Sequence, residues 1–155
     1  MTRDRFRIKE RNRPHFLTCT IVNWYPVFSR PAAVEILLES FGFLQEKGEW
    51  SLYGYVVMEN HIHLIADSST LGNVIGRFKS FTARKIIDLL EEKGEKTVLR
   101  FLAEGKQASK THRKYQLWQE GSHPIAIKDD DMMRRALDYI HYNPVHHGFC
   151  DRLQD

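Results

Sequence analysis

The twelve residues Tyr55 to Ala66, YVVMENHIHLIA, constrain the fold more than any other stretch of the chain. An apolar run, a tight turn at Glu59-Asn60 and a second apolar run read as a β-hairpin. The second strand carries His61 and His63 on either side of Ile62. Side chains alternate faces along a strand. His61 and His63 therefore share one face, while Ile62 and Leu64 turn the other way, into a core. Two imidazoles about 6 to 7 Å apart on a rigid sheet can share one metal ion. The pattern also suits two exposed strand histidines, and the hairpin alone does not choose between these readings.

The surrounding chain supplies partners for that hairpin. His15 to Trp24 is rich in β-branched and aromatic residues and reads as a strand, broken at Tyr25-Pro26. Pro31 to Lys47 has Ala33, Ile36, Leu37, Phe41 and Leu44 at helical spacing, and Gly48 stops it. Trp50 to Met58 is the strand entering the hairpin, and Asn60 to Asp67 the strand leaving it. Ser68, Ser69 and Thr70 are candidate caps for a long amphipathic helix over Leu71 to Glu92, ended by Gly94. Its polar side carries Arg77, Lys79, Arg84 and Lys85. A short helix over Thr97 to Ala103 is compatible with the pattern. Tyr115 to Trp118 and His123 to Ile127 read as short extended pieces around Gly121. Asp129, Asp130 and Asp131 then open a final helix that runs from Met132 to about Tyr142, where Pro144 forces an end near Asn143.

The resulting order, β-α-β-β-α-β-α, begins with the split βαβ arrangement. The fold class expected is α+β: a ferredoxin-like (RRM-like) four-stranded antiparallel sheet with two helices on one face, plus a C-terminal helix. With 155 residues the chain is expected to form a single domain, 1–155. No apolar run approaches a membrane span, and Arg and Lys interrupt the first twenty residues throughout, so a cytoplasmic protein with no membrane partner is expected. Cys19 and Cys150 lie far apart, outside any CxxC pattern, and read as free thiols.

The formal net charge is only +3, so its distribution matters more than its sum. Arg3, Arg5, Arg7, Lys9, Arg11 and Arg13 stand at every second position of a basic arm, 1–13. If extended, the arm presents six cations on one side, which suits tracking a nucleic-acid backbone. A solvated tail is the other reading. A basic loop, 104–114, carries Lys106, Lys110, Arg113 and Lys114 with the same two readings.

The last helix contains Asp138-Tyr139-Ile140-His141-Tyr142-Asn143-Pro144. Tyr139 and Asn143, at i and i+4, lie on one face. An amide oxygen suits a hard cation, and a phenol beside a metal-bound phosphate can act as a nucleophile once a nearby cation favours the phenolate. A core tyrosine and a helix stop fit the same residues.

Four motifs in order, YVVMENHIHLIA, FKSFTARKI, KYQLWQEGSHPI and LDYIHYNPVHHG, resemble the single-tyrosine HUH transposases of the insertion-sequence-200-like group, and within it the REP-associated tyrosine transposases. With the basic start and the strand after it, the resemblance covers nearly the whole chain. It implies an active site on the sheet face opposite the two packing helices. There His61, His63 and Asn143 bind Mg²⁺ or Mn²⁺, and Tyr139 is the nucleophile. It implies attack on single-stranded DNA that leaves a 5′-phosphotyrosine link and a free 3′-OH, later rejoined without ATP, with sites found through a DNA hairpin. The DNA-binding candidates are then Arg3, Arg5, Arg7, Lys9, Arg11, Arg13, Lys110, Arg113 and Lys114. Tyr142, at i+3 from Tyr139, is the backup nucleophile. The wider family includes dimers with shared active sites, so a homodimer is one state the resemblance admits beside a monomer. Glu59 departs from the proline common in the family. His146-His147 replaces a basic-small pair and reads as surface. A binding module that holds single-stranded nucleic acid or a hairpin on the RRM-like sheet without chemistry is the alternative function, and a nuclease using metal-activated water is a third.

Overall fold

The computed structural model describes residue 8 and residues 12–106 and 112–142. It contains strands β1 (His15–Thr20), β2 (Ser51–Val57), β3 (His61–Asp67) and β4 (Ile125–Ala126). The helices are α1 (Pro31–Glu46), α2 (Leu71–Glu92), α3 (Lys96–Glu104) and α4 (Asp130–Tyr142). The sheet order is β2-β3-β1-β4 and every pairing is antiparallel. This is the expected ferredoxin-like order, with α3 added before β4.

β3 is a central strand, with β1 on one side and β2 on the other. Its interior residues Ile62, His63, Leu64, Ile65 and Ala66 are all buried, so both faces of the sheet are covered along it. On one face Ile62, Leu64 and Ala66 join Leu17 and Cys19 of β1, Leu37 and Phe41 of α1, and Val74, Phe78 and Ile86 of α2. Each buried Leu, Ile, Val or Phe among them contributes roughly 1.5–3 kcal/mol through removal from water. On the opposite face Phe16 and Ile65 pack against Ile127 and against Ala136, Tyr139 and Ile140 of α4. Positions 136, 139 and 140 form one helical stripe, which is why α4 lies on the sheet along that line. Gly54 of β2 lies beneath it: a Cβ there would sit 3.4 Å from Leu137 Cδ2 and 3.7 Å from Ile140 Cδ1. Its missing side chain lets the helix approach, and β2 is bulged immediately before it, between Leu52 and Gly54.

Helix ends follow the local chemistry. Gly48 (φ 71°) and Gly94 (φ 65°) take the left-handed conformation just past α1 and α2. Asp129 Oδ1 accepts from the Met132 N–H at 2.8 Å, capping α4 as its acidic start suggested. The Ser68-Ser69-Thr70 segment does not cap α2 in the expected way. Thr70 occupies the cap position without a side-chain cap bond, and its own N–H donates to Ser68 Oγ at 3.1 Å.

Two strands are shorter than their sequences predict. β1 ends at Thr20 rather than Trp24, because the chain there wraps the hairpin tip in two single 3₁₀ turns, Val22–Trp24 and Val27–Ser29. The Ile21 N–H donates to the Asn60 carbonyl and the Phe28 N–H to the Glu59 carbonyl, both at 2.9 Å. The turn is thus buttressed by the segment after β1, and Asn23 (φ 57°) and Trp24 (φ 50°) adopt left-handed backbone to achieve it. The return segment makes a lone bridge, Trp118 to Ile21, and accepts the Thr18 N–H at the Ser122 carbonyl before the two-residue β4. Gly121 (φ 86°) and His123 (φ 44°) bend it away from regular pairing. Lys79 holds that bend: its Nζ donates to the Gln119 and Gly121 carbonyls, at 2.8 Å each.

α3 packs its end against the wrapping segment. A Cβ on Gly105 would lie 2.9 Å from Val22 Cβ and 3.0 Å from Asn23 Nδ2. Val22 is buried and has no room to retreat. Gly105→Ala is therefore expected to destabilise the fold by about 1–3 kcal/mol, read as a lower urea midpoint at unchanged m value.

Candidate active site

Alternation along β3 places His61, His63 and Ile65 on the α4 side of the sheet. The two histidine rings are 4.8 Å apart, centroid to centroid, closer than strand rise alone predicts because the rings tilt to 74°. His63 is the centre of the cluster and only 1% exposed. Phe16 stacks on its ring at 5.1 Å and 28°, and Tyr139 meets it edge-on at 5.2 Å. The Tyr139 hydroxyl is 3.3 Å from His63 Nε2, and Tyr139 itself is 3% exposed. On the other side of the ring, His63 Nδ1 is 3.0 Å from Thr18 Oγ1. Thr18 stands directly opposite His63 in the β1–β3 register. His61 Nδ1 is 2.8 Å from Asn60 Oδ1 in the turn.

Burial sets the protonation of both histidines. Desolvation lowers the pKa of His61. Desolvation, followed by the neighbouring His61, pushes His63 down to about 3. Both rings are therefore neutral near pH 7, the form in which imidazole binds a metal. A group this weakly basic is a poor acceptor for a phenol proton, so His63 fits a ligand better than a general base. The pair fits the nitrogen half of a divalent-cation site. Among the described residues no group of three or more His, Cys, Asp or Glu side chains could hold a metal, so an ion held by this pair would need ligands of another type or from elsewhere. Glu59 is exposed and does not complete such a group.

The sequence candidates separate cleanly. His61, His63 and Tyr139 come together, although His61 and Tyr139 are far apart in the chain. Tyr142 does not join them: it is 51% exposed, with its ring against His141 at 4.7 Å. Asn143 lies outside the described residues, as do Arg3, Arg5, Arg7, Lys9, Arg11, Lys110, His146, His147 and Cys150. Arg13 precedes β1. Arg113 and Lys114 are exposed, with Lys114 Nζ 5.4 Å from the Tyr115 ring centroid. Lys79 faces the loop carbonyls as a structural clamp. Sequence reasoning missed Phe16 and Thr18, whose roles follow from register between strands 45 residues apart. It treated Asn60 only as a turn residue.

No family model matches the chain. Comparison with solved structures finds the same fold in other proteins. A transposase of Deinococcus radiodurans superposes with a TM-score of 0.50 at 13% identity, covering 88% of this chain and 94% of that one. More specifically, a REP-associated tyrosine transposase bound to a REP hairpin superposes with a TM-score of 0.63 at 17% identity, covering 92% of this chain and 73% of that one. In sequence, a Haemophilus influenzae protein described as a REP-associated tyrosine transposase is 38% identical over 55 residues. That match spans 34% of this chain and 31% of the relative's length. The sequence similarity to a REP-associated tyrosine transposase is thus confined to about a third of the chain, and the solved structures share its fold.

The depressed His63 pKa makes a signed prediction for the metal-free protein. Unfolding frees the ring to titrate at its ordinary value near 6.5, so the unfolded state binds the extra proton first. This contribution to stability is complete above that value and is lost as pH falls from about 6.5 towards 3, at up to about 1.4 kcal/mol per pH unit. Denaturant titrations in EDTA across that window should show the slope, and His63→Gln should reduce it.

Proposed function

We propose that the chain cleaves and rejoins single-stranded DNA through a covalent 5′-phosphotyrosine intermediate on Tyr139, as a transposase that recognises a DNA hairpin. The observation that carries this reading is the 3.3 Å approach of the Tyr139 hydroxyl to Nε2 of His63. A phenol and a neutral imidazole pair meet on one sheet face, the combination needed to bring a nucleophile and a cation to the same phosphate. The hairpin-bound fold relative and the transposase similarity in sequence support the substrate class.

His61 and His63 would hold Mg²⁺ or Mn²⁺ together with Asn143. When bound, such an ion polarises a phosphoryl oxygen and favours the phenolate. In cleavage, Tyr139 Oη attacks the phosphorus, the Oη–P bond forms and the P–O3′ bond breaks. The phosphate stays with the 5′ end, now on the tyrosine. The phenol proton passes to solvent and the departing 3′ oxygen is protonated. Attack by a 3′-OH reverses these changes and restores the phenol. One phosphoester replaces another at each step, so no nucleotide energy source is required. Arg3, Arg5, Arg7, Lys9, Arg11, Arg13, Lys110, Arg113 and Lys114 would contact DNA phosphates.

One observation bears on the binding-module alternative. A module of that kind stacks bases on an open sheet face. Here one face is covered by α1 and α2, and α4 lies on the other over β2 and β3. This favours chemistry at the α4 face over stacking across the sheet.

Incubation with hairpin-flanked single-stranded DNA and Mn²⁺ should give a denaturation-resistant protein–DNA adduct that is lost in Tyr139→Phe. Cleavage persisting in that variant without an adduct would point instead to metal-activated water. Hairpin binding with no cleavage by the unaltered protein would favour the binding module. His61→Ala should lower cleavage by at least about 100-fold while leaving hairpin affinity largely intact. Equal loss of both in a gel-shift and cleavage comparison would contradict a ligand role for His61.

A further inference from the structure

We propose that Asn60 is a positioning residue that sets which nitrogen of His61 is available to a metal. The inference rests on the reading of His61 as a ligand. Two hydrogen bonds of the Asn60 side chain carry it, one to the Trp24 carbonyl and one to the His61 ring.

The Asn60 side chain has two partners. Its Nδ2 donates to the Trp24 carbonyl at 3.2 Å, and its Oδ1 faces His61 Nδ1 at 2.8 Å. A carbonyl only accepts, so the atom facing Trp24 must be the amide NH₂. Turning the amide over would set two oxygens against each other there. With Oδ1 fixed towards His61, and itself only an acceptor, Nδ1 of the ring must carry the proton. The lone pair of neutral His61 is then on Nε2, the nitrogen directed away from the turn. The hydrogen bond on one ring nitrogen thereby decides the state of the other.

Thr18 cannot do the same for His63. Its hydroxyl can donate or accept, so it follows whichever tautomer the ring adopts. Asn60 has no such freedom, because its own orientation is imposed by a backbone carbonyl. That carbonyl is well anchored in turn. Trp24 sits in left-handed backbone at φ 50°, after Asn23 at φ 57°. Asparagine adopts this region readily, whereas a bulky tryptophan does so rarely and persists there where surrounding contacts hold it. The Trp24 N–H donates to the Ile21 carbonyl at 3.0 Å, and the Asn60 carbonyl accepts from the Ile21 N–H at 2.9 Å. Asn23 Nδ2 donates to the Phe101 carbonyl at 3.2 Å. The left-handed pair thus aims one carbonyl at one amide. Trp24 is also 66% exposed, so the conformation is not explained by burying its indole.

The test uses the full chain, ¹⁵N-labelled and metal-free at neutral pH, with the His61 tautomer read by long-range ¹H–¹⁵N correlation and Mn²⁺ affinity read by calorimetry. The wild type should show Nδ1–H at His61. Asn60→Ala should lose that preference and weaken Mn²⁺ binding by about 10–100-fold, with hairpin affinity unchanged. Asn60→Asp keeps an acceptor for Nδ1 but loses the donor to the Trp24 carbonyl, so Nδ1–H should persist while the Trp24 contact is lost, a result that a merely structural role for the amide would not give. An Nε2–H ring in the wild type, or an unchanged tautomer in Asn60→Ala, overturns the assignment. Wild-type protein that shows Nδ1–H yet binds no Mn²⁺ overturns instead the metal reading on which the assignment depends, so the two failures are distinguishable.

Discussion

Everything at the candidate site depends on one strand being buried on both sides. β3 alternates Ile62, Leu64 and Ala66 into the α1/α2 core with His63 and Ile65 under α4. A slip of one residue in its pairing would exchange the two sets and place histidines in the apolar core. Because both faces are covered, register is specified twice, once by each layer. His63 is held in place by the same packing that holds the sheet together, with Phe16 on one side of its ring and Tyr139 at its edge.

Burial that positions a histidine also changes its chemistry. The layer that orders His63 withdraws it from water and keeps it neutral, and His61 beside it is shifted in the same direction. A buried cationic pair at this spacing would repel itself; a neutral pair offers lone pairs instead. Cys19 shows the same force acting on a group with no such use. Burial raises its thiol to about 11, and it is an inert apolar member of the main core.

Much of this was legible in the residues, and the boundary of legibility is physical. α2 runs over Leu71–Glu92 as its apolar spacing predicts, because a long amphipathic stripe ended by a glycine admits few alternatives. The common face of His61 and His63 follows from period-two geometry. The approach of Tyr139 required a family resemblance, since no local pattern links residues 76 apart. Thr18 and Phe16 were hidden for a related reason: their partner is set by interstrand register. The shortening of β1 was hidden too. Val22 and Trp24 have strand-forming side chains, but Asn23 and Trp24 take left-handed backbone and the Trp24 N–H closes back on the Ile21 carbonyl. Lys79 looked like one more exposed cation because a helical wheel does not show the bent loop whose carbonyls it binds.

The two cores differ greatly in extent, and this divides labour across the sheet. The aromatic cluster of Phe41, Trp50, Phe78 and Trp118 lies with α1 and α2, away from the histidines. α4 rests over Gly54 on a much smaller apolar patch. Most of the folding free energy is therefore invested on the side that does not carry the candidate site. Substitution among the residues of the smaller α4 patch therefore leaves the larger α1/α2 core intact.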